Sequence, residues 1–157
     1  MKFLVHTIFL LGLVLLSGCN PNVVFEKNQE IEKYVWNKNK PVVLSTTIED
    51  TTLRYNISVN IRHANFYEYS NLWMMVYTTF PDGKKLHQRI EFQLAETSGK
   101  WQGDCTGDIC DINLPIQQNA RFEQPGKYTF EFEQIMRQDL LPGIMAVGLK
   151  IEKLPKK

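Results

Sequence analysis

Three cysteines and three histidines carry most of the reactive chemistry this chain has to offer. The first cysteine closes the tetrapeptide Leu16-Ser17-Gly18-Cys19, in which small residues stand before a thiol. Ahead of it, Lys2 introduces a run that is apolar from Phe3 to Leu16 apart from His6, Thr7 and Gly12. A basic start, a short apolar core and a cysteine at the cleavage point are the signature of an exported bacterial lipoprotein. Residues 1–18 are therefore expected to be a signal peptide, and Cys19 the lipidated N-terminus of the mature protein. The run is shorter than the roughly 20 residues a membrane-spanning helix needs, and no later stretch matches it. Each buried acyl methylene contributes about 0.8 kcal/mol, and two or three chains together hold durably where one does not.

Charge offers no second anchor. The chain has 18 Lys plus Arg against 17 Asp plus Glu, and losing Lys2 with the leader leaves 17 of each. Lipid, rather than electrostatics, must keep the domain at a membrane. The same balance excludes the clustered basic surface that binding to nucleic acid requires. Asn20 follows the lipidated cysteine where enterobacterial inner-membrane proteins carry Asp, and the segment to Val24 lacks an acidic export run. A domain facing the periplasm is expected, with the choice of inner or outer membrane left open.

Cys105 and Cys110 form an even pair in an exported chain, which reads first as a disulfide. Four intervening residues exclude the two-residue spacing of thiol redox motifs, and no histidine stands near enough in sequence to suggest zinc. A ring this small contributes roughly 2 kcal/mol at best. His63 and His87 lie outside any metal or nucleophile motif and read as surface or hydrogen-bonding residues. Asp104, Asp108 and Asp111 lack the alternation of a calcium loop. The expectation is no catalytic residue, no metal, no cofactor and no small-molecule substrate. More informative is the loop Asn65-Phe66-Tyr67-Glu68-Tyr69-Ser70-Asn71, whose Phe66, Tyr67 and Tyr69 offer either a partner contact or a cap on the core. Trp36, Trp73 and Trp101 could stack on sugars but lie in separate segments, and Trp73 reads better as core.

The elements that must hold these residues are strands. Tyr55, Ile57, Val59 and Ile61 alternate with polar neighbours; so do Leu86, Ile90, Phe92 and Leu94, then Tyr128, Phe130 and Phe132, then Met145, Val147, Leu149 and Ile151. Leu72 to Phe80 is apolar on both parities and reads as a central strand covered on each side. Pro81-Asp82-Gly83 marks a hairpin turn, and Gln124-Pro125-Gly126 launches another strand. Weaker strand candidates are Val23–Glu26, Ile31–Trp36, Pro41–Thr47 and an edge strand Ile112–Gln117 interrupted by Pro115. Gln134–Leu141 has room for one helical turn. With an apolar fraction of 43%, residues 19–157 are expected to form a single all-β domain on a short N-terminal tether. Its architecture is a two-sheet antiparallel sandwich, jelly-roll or immunoglobulin-like.

Several strings, in their order, carry a family resemblance: Val24-Phe25-Glu26-Lys27-Asn28, Tyr69-Ser70-Asn71-Leu72-Trp73, Phe80-Pro81-Asp82-Gly83-Lys84, Gln124-Pro125-Gly126-Lys127-Tyr128 and Leu141-Pro142-Gly143-Ile144. The chain resembles the gliding-motility lipoprotein GldH family of Bacteroidetes over nearly its whole mature length. Where the family runs Gly-Asp-Ile-Trp, this chain has Gly107-Asp108-Ile109-Cys110, so the cysteine pair is a local feature. The resemblance implies a non-enzymatic envelope protein that supports the gliding machinery, which overlaps with type IX secretion, with envelope motility or secretion proteins as partners. It supplies no catalytic residues. Asp50-Thr51-Thr52 is similar to the O-glycosylation signal of periplasmic proteins in that phylum, which makes Thr51 a candidate. The competing expectation is a carbohydrate-binding lipoprotein of a nutrient-uptake system. Cells fed radiolabelled palmitate should yield labelled protein, and Cys19→Ser should abolish the label; unlabelled wild-type protein would refute lipidation. The intact mass of the same preparation, compared with Thr51→Ala, should show a difference beyond the substitution if Thr51 carries sugar.

Overall fold

A computed structural model describes residues 20–155; the leader and Cys19 lie outside the described residues. Period-two alternation becomes strand wherever one parity can be buried. The strands, in chain order, are β1 Val23–Glu30, β2 Val35–Asn37, β3 Val42–Ile48, β4 Tyr55–Ala64, β5 Asn71–Thr79, β6 Lys85–Gln93, β7 Asp104–Thr106, β8 Ile109–Ala120, β9 Gly126–Gln134, β10 Leu140–Pro142 and β11 Ile144–Lys153. One antiparallel sheet has the order β1-β11-β4-β8-β7 and the other β3-β9-β5-β6, while β2 and β10 make a separate ribbon.

The pairing is nested. β5 pairs with its neighbour β6, β4 with β8, β3 with β9, and the outermost pair is β1 with β11. A long antiparallel hairpin rolled onto itself gives this order, so the sandwich is of the jelly-roll type rather than immunoglobulin-like. Between the sheets lies one apolar layer: Ile57, Val59 and Ile61 of β4 and Val147, Leu149 and Ile151 of β11 meet Leu72, Met74 and Val76 of β5 and Phe130 and Phe132 of β9. The Phe80–Lys84 turn closes as its residues dictate, with Gly83 at φ +85° and the Lys84 N–H donating to Asp82 Oδ1 at 2.9 Å.

Four expectations change. Ile31–Trp36 is not one strand, because Lys33 and Tyr34 adopt positive φ in a 3-10 turn over Glu32–Tyr34 before β2 begins. The Ile112–Gln117 candidate is part of the twelve-residue β8; Pro115 lies beyond the short β7, where the strand's outer side is unpaired and no donor is needed. Gln134–Leu141 forms no helical turn. The buried Gln134 amide instead donates to the carbonyls of Gln138 and Asp139 and accepts from the Met136 N–H, replacing the bonds a helix would have made. β5 is central within its sheet, but its second face is not covered by another layer. Trp73 and Tyr77 there lie under the long side chains of Arg89 and Lys85, whose charged groups stand 4.2 and 4.4 Å from the rings.

The outer face of the five-stranded sheet is polar and depends on one glycine. Asn113 donates to Asn60 Oδ1 at 2.7 Å, and Asn60 donates to Asn28 Oδ1 and Glu26 Oε1, both at 3.0 Å. This chain of amides crosses over β11 at Gly148. A Cβ there would collide with Asn28 Oδ1 and come within 2.8 Å of the Lys27 carbonyl oxygen. Gly148→Ala should therefore cost about 2 kcal/mol by overpacking. That is a fall of roughly 5 °C in the melting temperature; an unchanged melting curve would refute the account.

Candidate functional site

At one end of the sandwich, β4 passes into the aromatic loop. The alternation that buries Tyr55, Ile57, Val59 and Ile61 continues to His63, which is fully buried. Its Nδ1 lies 3.1 Å from the Ala64 carbonyl oxygen, and Nε2 has no hydrogen-bond partner. Trp101 meets the imidazole edge-on with ring centres 4.5 Å apart, and Tyr67 lies at 6.0 Å. Of the two expectations for His63, the hydrogen-bonding one agrees with the Ala64 contact and the surface one is corrected: the strand extends two residues further than the polar Arg62 suggests, and its inward parity takes the histidine with it. His87, on the outward parity of β6, is exposed.

Tyr67, expected to offer a partner contact, is only 3% exposed. Its hydroxyl donates to the Asn71 carbonyl at 2.9 Å, which folds the loop back over the core. Gly143, at φ +91°, lets the chain pass so close that a Cβ would stand 3.0 Å from Tyr67 Cα. The Ala64 N–H donates to the Gly143 carbonyl at 2.8 Å. Burial pushes the Tyr67 hydroxyl pKa well above its ordinary value, so this ring is a neutral plug. Phe66 points the other way and is 61% exposed. Tyr69 is half-buried, its ring 5.6 Å from Tyr67. The loop therefore does both things its sequence allows, since Tyr67 caps the core while Phe66 and Tyr69 remain available.

Tyr69 also lines a groove of about 630 Å³ with Asn71, Trp73, Arg89, Met136 and Arg137. Trp73 is half-buried here, outside the core that its sequence context suggested, and its backbone N–H donates to Met136 Sδ at 3.3 Å. Trp36 is fully buried, with Nε1 donating to the Lys40 carbonyl, and Trp101 packs into the His63 cluster. Folding brings Tyr69 and Trp73 together and leaves the other two tryptophans elsewhere. Arg89 and Arg137, which sequence reasoning passed over, form no ion pair among the described residues. Their only sequence signal was charge beside apolar neighbours.

On the far side of His63, Cys110 is its register partner across β4 and β8 and is buried. Cys105 faces Cys110 across the β7–β8 hairpin, and the two sulfurs are bonded. Asp111 accepts from Arg62 at 2.9 Å and Asp108 from Asn65 at 2.6 Å, so two of the three local carboxylates hold strand ends together. Among the described residues no cluster of His, Cys, Asp and Glu is arranged to hold a metal. Thr51 is half-buried in the β3–β4 turn, where the Thr52 N–H and hydroxyl both donate to Asp50 Oδ1.

Comparison with known proteins bears on this chain along almost its full length. The GldH lipoprotein family model matches residues 23–151. A gliding motility lipoprotein GldH homolog of Christiangramia forsetii is 32% identical over 153 residues, covering 93% of each chain. The gliding motility lipoprotein GldH of Flavobacterium johnsoniae is 30% identical, covering 93% of this chain and 94% of its own. Among solved structures, the VP2 subviral particle of infectious bursal disease virus aligns with 81% of this chain and 29% of its own, at 13% identity and a TM-score of 0.34, too low to inform fold or function.

The buried imidazole has a consequence for stability. Desolvation holds its pKa below the ordinary 6.5, outweighing the Ala64 carbonyl and Asp111, which pull upward. The unfolded chain thus binds this proton at a pH where the folded chain does not, and stability falls as the pH drops from about 6.5 toward the lower folded value. The melting temperature should fall between about pH 7.5 and pH 5, and His63→Phe should remove the part of that fall due to this group. An identical pH profile in the variant would refute it.

Proposed function

The chain belongs to the GldH lipoprotein family, and from that premise we propose that it is a non-enzymatic, lipid-anchored envelope protein that supports assembly or stability of the gliding machinery and its linked type IX secretion apparatus. The observation that carries this reading is the family match across nearly the whole folded domain, together with the lipoprotein signal that precedes it. Its mechanism is tethering. Acyl chains on Cys19 confine the domain to one membrane, which raises its effective concentration for a partner at that surface. The domain faces the periplasm, and the partner is an envelope motility or secretion protein.

Contact is made by what the aromatic loop leaves outside. Phe66 is an exposed aromatic side chain on a loop whose backbone is fixed by Tyr67 and Gly143, so little entropy is lost when a partner covers it. Tyr69 and the groove beyond it continue that surface with ring faces and two guanidinium groups. One observation favours the competing reading of a carbohydrate-binding lipoprotein: Tyr69 and Trp73 share one groove with Arg89 and Arg137, which come from distant segments of the chain. Glycan-array binding lost in Tyr69→Ala would support that reading over the first.

Phe66→Ser should leave the melting temperature within about 1 °C, as surface substitutions do, yet reduce gliding of cells that carry it in place of the wild type. Tyr67→Ala should instead cost about 3 kcal/mol through the cavity it opens and act by lowering protein levels. Normal gliding in a deletion strain would refute the function, and normal gliding with Phe66→Ser would refute the contact.

A further inference from the structure

The two sheets of a sandwich have four sides, and most of them are blunted in this protein. β7 is three residues long, the free part of β8 contains Pro115 and two register shifts, and β1 has a register shift between Val23 and Phe25 and exposed Glu26, Lys27 and Glu30. β3 follows Pro41 and approaches β1 across the layers. β6 is the longest edge in unbroken register among the described residues: nine residues run against β5 without proline or bulge, against seven for β3, and what protects it is the charge of Lys85, Arg89 and Glu91.

Its free side is chemically defined. The Lys84 carbonyl accepts from Phe80 and the Leu94 N–H donates to Ser70, so the even-numbered residues direct their backbone groups toward β5. The odd residues Lys85, His87, Arg89, Glu91 and Gln93 therefore direct theirs outward, as alternation in an antiparallel sheet requires. On the inward parity, Leu86 is 49% exposed although it pairs with Thr78 on the core-facing side. It is uncovered because the sandwich gapes between β6 and β8, where a cleft of about 380 Å³ opens onto Ile57, Val76, Phe122 and Phe130.

We propose that β6 pairs antiparallel with β6 of a second copy of this chain, about a two-fold axis at Gln88, joining the two four-stranded sheets into one. Three symmetric registers keep the apolar parities on one face with substantial overlap, and they differ in chemistry. Centring on Arg89 sets that cation against its own copy. Centring on Ile90 runs the second chain past Gln93, where the strand's continuation is already bonded: the Gln102 N–H donates to the Leu94 carbonyl, and Ala95 bridges Trp101. Centring on Gln88 keeps the pairing within residues 85–91. It sets Lys85 opposite Glu91 twice and places Ile90 of one copy beside the uncovered Leu86 of the other, also twice. Opposite charges and apolar pairs directly across an antiparallel ladder are both favourable.

The register is read by a single thiol. Full-length chain carrying Gln88→Cys, made in cells of the native host, should run on a non-reducing gel as a disulfide-linked species of twice the monomer mass. Directly opposed residues without mutual backbone bonds lie about 4.5 Å apart at Cα, within disulfide reach. Arg89→Cys and Ile90→Cys, which do not face their own copies in this register, should cross-link far less. Lys85→Glu should weaken dimerisation of the detergent-purified chain about tenfold, and Lys85→Glu with Glu91→Lys should restore it. Adding His87→Pro to Gln88→Cys removes an outward donor but leaves the bonds to β5, and it should suppress the cross-link while circular dichroism remains that of a folded sheet. A monomer throughout, equal cross-linking at all three positions, failed charge rescue, or a cross-linked band of any other mass would overturn the proposal.

Discussion

Both sheets must dry the same layer of side chains, and this requirement governs the rest of the molecule. β4 and β11 on one side and β5 and β9 on the other contribute branched aliphatics and phenylalanines that none of these strands could bury alone. Each strand can give only one parity to that layer, because successive side chains project to opposite faces. The other parity must then be polar, small, or covered locally. The structure uses all three means: amides over Gly148, Gly148 itself beneath Asn28, and Arg89 laid over Trp73. Parity is therefore the link between sequence and chemistry, deciding which reactive groups reach solvent.

The aromatic loop shows how sharply that link acts. Phe66 and Tyr67 are adjacent, yet one is mostly exposed and the other fully packed. The difference comes from partners on distant segments. Gly143 admits the loop backbone, Trp101 and His63 offer rings, and the Asn71 carbonyl accepts the Tyr67 hydroxyl. Fixing Tyr67 also fixes the backbone beside the exposed Phe66, so the proposed contact would order little on forming. The disulfide beside His63 adds a short covalent link at the same end. Stability and the proposed contact thus share residues at this end without sharing roles.

Rolling a hairpin into two sheets satisfies the interior backbone groups but cannot remove the outer edges, since only a closed barrel does that. The nested pairing leaves β6 as the last strand of its sheet, beside a gap that β8 does not close. Edge protection elsewhere in the fold is local and readable: a proline here, a register shift there, a run of charges on β1. Along β6 there is neither proline nor register shift, and protection of that edge rests on the charges of Lys85, Arg89 and Glu91 alone.

Much of this was legible from the sequence because it depends on neighbours along the chain. Alternation placed β4, β6, β9 and β11; Pro81 and Gly83 placed a hairpin; ordered short strings gave the family; the residues around Cys19 set the expectation of a leader and a lipid. Each of those signals is local, set by the two-residue period of a strand or by what a turn or a processing enzyme reads. What needed the tertiary structure was everything decided by which segments meet. The strand order chose a jelly roll over an immunoglobulin-like sandwich, His63 and Tyr67 went inside, Trp73 stayed out, and Tyr69 joined Trp73, Arg89 and Arg137 in one groove. Contacts of that kind close loops of tens of residues, and their energies belong to pairs of surfaces that no single window of sequence contains.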